Sequence, residues 1–184
     1  MKKITKIIKA IKEGKVIVYP TDTVYGLIAD ATNKKAVNKI FKIKKRPKDK
    51  PIPIFVKDLK QAKKLAKIDK EQENFLEKVW PGKVTVILKR KKIKVYGVEE
   101  RKIALRIPKY KLLLNLIKHV NRPLTATSAN ISGKPATTKI KEVINQFKKK
   151  KYQPDLIIDA GNLKQSRPSI VIDLTVWPPK ILRF

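Results

Sequence analysis

Apolar residues fall along this chain at helical spacing in some stretches and in short continuous or alternating runs in others. Ile4, Ile7, Ile8 and Ile11 recur with the helical period, and Gly14 supplies a C-terminal stop. Lys15-Val16-Ile17-Val18-Tyr19 follows as a strand that runs into Pro20, a residue unable to donate to a sheet ladder. The strand therefore ends there and leaves Thr21, Asp22 and Thr23 at its carboxyl tip, the rim where open α/β sheets usually carry ligands. Asn33 caps a helix whose inward face is Ala36, Val37, Ile40, Phe41 and Ile43. Pro47 disfavours helical geometry at Arg46, which places Lys44, Lys45 and Arg46 at a helix terminus or in a loop.

Downstream, the pattern predicts a short strand at Ile52–Val56, a helix capped by Asp58 and running to Ala66, and a helix from Asp69 to Val79 with Phe75, Leu76 and Val79 inward. Trp80-Pro81-Gly82 breaks the chain before a strand over Lys83–Leu88, and Lys89–Lys102 reads as a charged surface connection. A strand at Ile103–Ile107 is stopped by Pro108. A helix follows with Leu112, Leu113, Leu116, Ile117 and Val120 on its apolar face. Pro123–Thr127 is a short strand ending in Ser128-Ala129-Asn130-Ile131-Ser132-Gly133. A helix over 139–149 and strands at Asp155–Asp159, Ser169–Leu174 and Lys180–Leu182 complete the chain. Strands separated by helices, many of them fully apolar, predict an α/β fold: one domain over residues 1–184, with a twisted, mixed and largely parallel sheet flanked by helices.

Composition changes this picture in two ways. The 184 residues are enough for one well-buried domain and few for two, and 42% hydrophobic content is ordinary. The charge is not ordinary: 46 Lys and Arg face 15 Asp and Glu, for a net +31. Such an excess attracts polyanions, whether nucleic acid, nucleotide phosphates or acidic lipid. A solvated surface in a Lys- and Ile-rich, heat-adapted chain accounts for the same numbers, so charge alone does not decide. The absence of cysteine excludes a disulfide framework, a thiol nucleophile and a Cys-based metal site. No signal peptide fits, and no run approaches the roughly 20 apolar residues of a membrane span, so a soluble, cytoplasmic protein is expected.

Conventional catalytic sets are missing. The single histidine, His119, falls off the apolar face of its helix, which leaves a His/Cys zinc site and a Ser-His-Asp triad poorly supported. The six glycines are dispersed and form no phosphate loop, so any phosphate must be held by side chains. Lys44, Arg46, Lys50, Arg106 and Arg183 stand near element ends. Thr21, Thr23, Thr127, Ser128, Asn130, Ser132, Ser166 and Ser169 offer hydroxyl and amide partners. Arg clasps a carboxylate or phosphate bidentately and Lys acts as a point charge. Each of these residues taken singly also has a structural or surface explanation.

Together, in one order, Tyr19-Pro20-Thr21-Asp22-Thr23-Val24-Tyr25-Gly26-Leu27, Lys44-x-Arg46-Pro47, Trp80-Pro81-Gly82, Leu105-Arg106-Ile107-Pro108, Ser128-x-Asn130-x-Ser132-Gly133 and Pro168-Ser169-Ile170-Val171-Ile172-Asp173 resemble the YrdC/Sua5 family, the threonylcarbamoyl-AMP synthases of tRNA modification. The resemblance runs from Lys15 to Arg183 and is to the short form of the family. It implies a twisted sheet around a basic concave cavity. It also implies a reaction of L-threonine, bicarbonate and ATP that yields threonylcarbamoyl-AMP and pyrophosphate, with Mg²⁺ accompanying the nucleotide. It places Lys44, Arg46, Ser128 and Asn130 in the catalytic set around ATP, with Lys50 and Arg183 also near the nucleotide. Thr23, Arg106, Thr127 and Ser169 fall at threonine-holding positions, Arg106 against the carboxylate. Asp22 is a weak candidate metal ligand. Contact with tRNA or with the threonylcarbamoyl-transferase machinery is implied, and no membrane. Departures are Phe55 where longer members often have histidine, Lys83-Val84 after Pro81-Gly82, and Ile170 after Ser169.

The chemistry suits such a residue set. The attacking carboxylate belongs to the substrate, so the protein has to orient it and neutralise phosphate charge, and positioning alone can supply about 7–11 kcal/mol. Two alternatives stand beside the synthase. One is a non-catalytic module of the same fold that binds tRNA or double-stranded RNA. The other is the carbamoyl-transfer domain of hydrogenase maturation proteins, against which the absence of cysteine counts.

Overall fold

The computed structural model describes residues 2–176 and 178–184; Met1 and Trp177, which fall within the single domain expected from the sequence, lie outside the described residues. Helix α1 (Lys2–Lys12) leads through Gly14 to β1 (Ile17–Tyr19) and β2 (Gly26–Ile28). Gly14 has φ +81°, and a Cβ there would meet the Asn33 side chain at 2.6 Å, so the stop needs glycine. Next come α2 (Lys34–Lys44), β3 (Ile54–Phe55), α3 (Leu59–Leu65), β4 (Ala66–Lys67), α4 (Lys70–Val79) and β5 (Val84–Arg90). The chain continues with β6 (Lys102–Arg106), α5 (Lys111–Val120), β7 (Leu124–Thr125), β8 (Thr127–Ser128) and α6 (Ile140–Phe147). It ends with β9 (Leu156–Ile157), β10 (Ile170–Asp173) and β11 (Lys180–Arg183).

Local chemistry explains the helix ends. Asn33, Asp58 and Asp69 accept hydrogen bonds from the backbone N–H of Ala36, Gln61 and Gln72. Asp69 and Gln72 form a full capping box. At the other end of α2, Lys45 takes the left-handed conformation (φ 49°, ψ 40°) and the Arg46 N–H donates to the Phe41 carbonyl at 3.0 Å. That turn directs Arg46 away from the helix axis before Pro47.

The α/β class and the mixed pairing hold, but the strands form two sheets, and parallel pairing is the minority. A four-stranded sheet has the order β8-β2-β1-β9; a seven-stranded sheet has the order β11-β10-β5-β6-β3-β7, with β4 on β5. Among the described residues only β1/β9, β5/β10 and β3/β6 run parallel; the other six pairings are antiparallel. The reason is local. The loop after Tyr19 is too short for a helical crossover, so Gly26-Leu27-Ile28 folds straight back on β1, and the Pro-Thr-Asp-Thr stretch is a hairpin loop. The single strand expected at Pro123–Thr127 divides at Ala126, whose N–H donates to the Pro53 carbonyl, and its two halves join different sheets.

Two expectations on side chains are corrected. Leu112 is 55% exposed, because the buried face of α5 is Leu113, Leu116, Ile117 and Val120. The stretch between β5 and β6 is not merely a surface connection: β5 extends to Arg90, β6 begins at Lys102, and Val95 is buried with Tyr96 packed on the core.

Thr125 links the two sheets. It is fully buried, accepts the Ala29 N–H at 2.9 Å, donates to the Leu27 carbonyl at 3.0 Å, and its own N–H meets the Ala29 carbonyl. No helix among the described residues is long and apolar enough to cross a membrane. Replacing Thr125 by valine keeps the volume but strands a buried donor and a buried acceptor. The expected loss is about 1–3 kcal/mol, read as a lower urea midpoint at unchanged m; an unshifted midpoint would contradict the linking role.

Candidate active site

The period of two along a strand decides which side chains share a face. It brings Thr85 and Ile87 of β5, Lys102, Ala104 and Arg106 of β6, Ser169 and Val171 at β10, and Arg183 of β11 to one face of the larger sheet. Thr23–Gly26 of the hairpin and Thr127 and Ser128 at β8 supply the opposite wall, and Arg46 and Pro51–Pro53 close one end. Between them lies a cavity of about 400 Å³. Arg46, Lys102, Arg106 and Arg183 line it, against the one acidic lining residue, Glu99.

Arg106 is 4% exposed and anchored on three sides. Its Nη2 donates to Asp22 Oδ2 at 2.6 Å, its Nε donates to the Gly82 carbonyl at 2.9 Å, and its guanidinium lies 5.9 Å from the centre of the Phe55 ring. Burial lowers the pKa of Arg106, while the charge of Asp22 and the hydrogen bond to it work the other way. Asp22 also accepts the Lys109 N–H at 3.1 Å. The candidate metal ligand of the sequence reading is therefore the counter-ion of Arg106. Gly82 is demanded by geometry, since a Cβ there would lie 2.3 Å from the Val79 carbonyl oxygen. That close approach is the structural use of the Trp-Pro-Gly break.

Lys44 closes α2 and is 2% exposed. Its Nζ donates to the Ser128 carbonyl, to the Asn130 carbonyl at 2.9 Å and to Asn130 Oδ1 at 2.8 Å. Asn130 Oδ1 also accepts from Ser128 Oγ at 2.6 Å. Burial, aided by the charge of Arg46, lowers Lys44 from 10.5 to about 7. The Lys-x-Arg and Ser-x-Asn motifs thus meet through one amine. Neither Lys44 nor Asn130 is on the cavity wall; they stand behind Ser128, which is.

Arg46 spans the 47–51 loop, donating from Nε to the Lys50 carbonyl at 3.0 Å and from Nη2 to the Pro51 carbonyl at 2.8 Å. Lys50 itself is exposed and away from the wall. Thr21 and Thr23 hydroxyls lie 3.1 Å apart, with Thr21 capping the Val24 carbonyl. Arg183 reaches Ser169, whose hydroxyl also meets that of Thr85. Of the candidates, then, Thr21, Thr23, Arg46, Arg106, Thr127, Ser128, Ser169 and Arg183 share the cavity; Lys44 and Asn130 support it; Lys50, Ser132 and Ser166 are not on the wall.

Sequence reasoning passed over Thr85, Lys102, Glu99 and the pairing role of Asp22. Strand alternation was the available signal for Thr85 and Lys102: Lys102 stands four residues before Arg106 on the same face. Lys102 donates to Asp173 Oδ2 at 2.9 Å, which ties β6 to β10 across β5.

The family model of Sua5, YciO and YrdC, described as telomere recombination, matches residues 9–184. A threonylcarbamoyl-AMP synthase of Pyrococcus abyssi is 41% identical over 176 residues, covering 94% of this chain and 51% of its own length. A putative threonylcarbamoyl-AMP synthase of Methanocaldococcus jannaschii is 38% identical, covering 90% of this chain and 77% of the relative. The crystal structure of P. abyssi Sua5 complexed with L-threonine superimposes with a TM-score of 0.90 at 39% identity, over 98% of this chain and 53% of that one. The chain thus spans about half the length of the P. abyssi relative.

The depressed Lys44 pKa gives a pH signature. In the unfolded chain Lys44 keeps its proton to about 10.5, and in the fold it releases it near 7. Across that window the unfolded state binds the extra proton, so the contribution of Lys44 to stability rises with pH; below the window both states are protonated and it is flat. Urea unfolding of wild type and Lys44→Met between pH 6 and 9 is expected to show a rising difference between the two. Parallel curves would show that Lys44 titrates normally.

Proposed function

The chain belongs to the Sua5/YciO/YrdC family, and on that premise we propose that it joins L-threonine, bicarbonate and ATP into threonylcarbamoyl-AMP and pyrophosphate. The observation that carries this reading is the single cavity that gathers Arg46, Arg106 and Arg183 beside the hydroxyls of Thr23, Thr127, Ser128 and Ser169. A site with three arginines, and with no cysteine or histidine on its wall, suits a reaction whose nucleophile comes with the substrate.

In this scheme the threonine amine forms a C–N bond to the carbon of bicarbonate with loss of water. A carboxylate oxygen of the resulting N-carboxy-threonine then bonds to the α-phosphorus of ATP as the bond to the β-phosphate oxygen breaks and pyrophosphate leaves. Arg106 takes the threonine carboxylate, with Thr23, Thr127 and Ser169 around the amino acid. Arg106 arrives at this task already oriented: Asp22 and Gly82 occupy its Nη2 and Nε, and among the described residues no protein acceptor engages Nη1. Arg46 and Arg183 face the phosphates, with Ser128 on the wall and Lys44 and Asn130 behind it; Lys50 joins them if its chain swings inward. An incoming phosphate favours the charged form of Lys44, which restores its ammonium. Magnesium enters as the ATP complex. Asp22 gives Oδ2 to Arg106 and the Lys109 N–H and leaves Oδ1 buried without a protein partner, so it could offer a metal one oxygen; no cluster of three metal-ligating side chains occurs among the described residues, and the triphosphate would supply the principal ligands. The product is passed to threonylcarbamoyl-transferase machinery that acts on tRNA, and the surplus of lysines suits contact with that RNA.

Pyrophosphate release with MgATP tests the reading: it is expected to require both L-threonine and bicarbonate. Salt-sensitive RNA binding without release would instead support the RNA-binding module. Arg46→Ala is expected to lower turnover by about 10²–10³-fold, the scale of losing one preorganised donor, while the variant still folds with a urea midpoint lowered by the loss of the bonds to the Lys50 and Pro51 carbonyls. Turnover at the wild-type rate would remove Arg46 from the phosphate site.

A further inference from the structure

At one wall of the cavity Arg183 and Ser169 form a closed unit. Arg183 Nη2 donates to Ser169 Oγ at 3.0 Å and to the Ser169 carbonyl at 2.8 Å, and Nε donates to the same carbonyl at 3.0 Å. From beneath, Thr85 Oγ1 lies 3.0 Å from Ser169 Oγ. Among the described residues that is the one hydrogen-bond partner of the Thr85 hydroxyl.

The directions of these bonds follow from which groups can donate. A guanidinium only donates, so one lone pair of Ser169 Oγ is taken by Arg183. If Ser169 then donated to Thr85, the Thr85 proton would be left without a protein acceptor on a cavity-lining residue only 3% exposed, and a buried unpaired donor is strongly disfavoured. If Thr85 donates instead, both lone pairs of Ser169 are filled. The Ser169 proton is then turned away from both partners, toward the cavity that Ser169 lines. Ser169, at 8%, is the more exposed of the two, so its proton is the one that water or a ligand can meet.

We propose that Thr85 is a positioning residue that fixes the Ser169 hydroxyl as a proton donor into the cavity, so that this wall selects the amino-acid substrate through an acceptor oxygen, its carboxylate or its side-chain hydroxyl. The proposal rests on the threonine-binding reading above. Thr85 acts through Ser169, setting what that hydroxyl presents. Valine at position 85 keeps the shape and removes the donor, which frees Ser169 to rotate. Because Arg183 still holds the Ser169 carbonyl through two bonds, the nucleotide side is left in place.

The test is steady-state pyrophosphate release at saturating MgATP and bicarbonate for wild type, Thr85→Val, Thr85→Ser, Ser169→Ala and the Thr85→Val/Ser169→Ala double variant. Thr85→Val is expected to raise the threonine KM about tenfold, the size of one hydrogen bond, with kcat and the ATP KM unchanged. Thr85→Ser should behave as wild type, and Thr85→Val should add nothing once Ser169 is alanine. Running L-2-aminobutyrate beside threonine identifies the acceptor: an equal loss for both points to the carboxylate, a loss for threonine alone to its hydroxyl. An undiminished Thr85→Val effect in the Ser169→Ala background, or a Thr85→Ser variant as impaired as Thr85→Val, would overturn the proposal. Should the valine variant not fold, Thr85→Ala against Thr85→Ser carries the same comparison. A wild type with no threonine-dependent release would sink the synthase reading, and this inference with it; a working wild type with additive variants sinks this inference alone.

Discussion

A cation can leave water only where oxygens take the place of its hydration shell, and that requirement governs the architecture around the cavity. Lys44 and Arg106 are both almost fully buried, and the oxygens that receive them come from remote parts of the chain. For Lys44 these are the carbonyls of Ser128 and Asn130 and the Asn130 amide oxygen; for Arg106 they are the Asp22 carboxylate and the Gly82 carbonyl. For the buried Arg106–Asp22 ion pair, taking away one partner strands the other charge, at a cost of about 3–5 kcal/mol. The hairpin loop, the Trp-Pro-Gly turn, the end of α2 and the strand at β8 are therefore held by polar constraints that an apolar core alone does not impose.

The two buried cations divide the site by chemistry. Arg106 is a permanent charge with a planar fork, held in one orientation by a carboxylate, a carbonyl and an aromatic face. Lys44 is a point charge whose proton sits near its tipping point at neutral pH. One side of the cavity thus carries a charge of fixed geometry, and another is backed, behind Ser128, by an amine whose protonation its surroundings can change. Phe55 belongs to the first side, where its ring packs beside the guanidinium.

How much of this was legible follows from the period over which each feature is encoded. The helices could be read because their caps and apolar faces are local: Asn33, Asp58 and Asp69 cap as their residue types require. The class followed from the alternation of strands and helices. The pairing directions did not, because Gly26-Leu27-Ile28 is too short a run to stand out, and its antiparallel return on β1 is set by loop length and tertiary packing. The motifs pointed to the residues that line the cavity, yet not to their partners. Asp22 is separated from Arg106 by 84 positions, and no periodicity connects them. Lys102 was hidden differently: its charged neighbours made a strand end resemble a loop.

A cavity walled by two separate sheets behaves like the jaws of a calliper. Its gap is set by where the jaws are riveted together, and one rivet is the hydroxyl of Thr125 between Leu27 and Ala29, beside the Asp30–Leu124 bridge. A change of packing at that junction would therefore alter the width of the gap while leaving every residue that lines it in place.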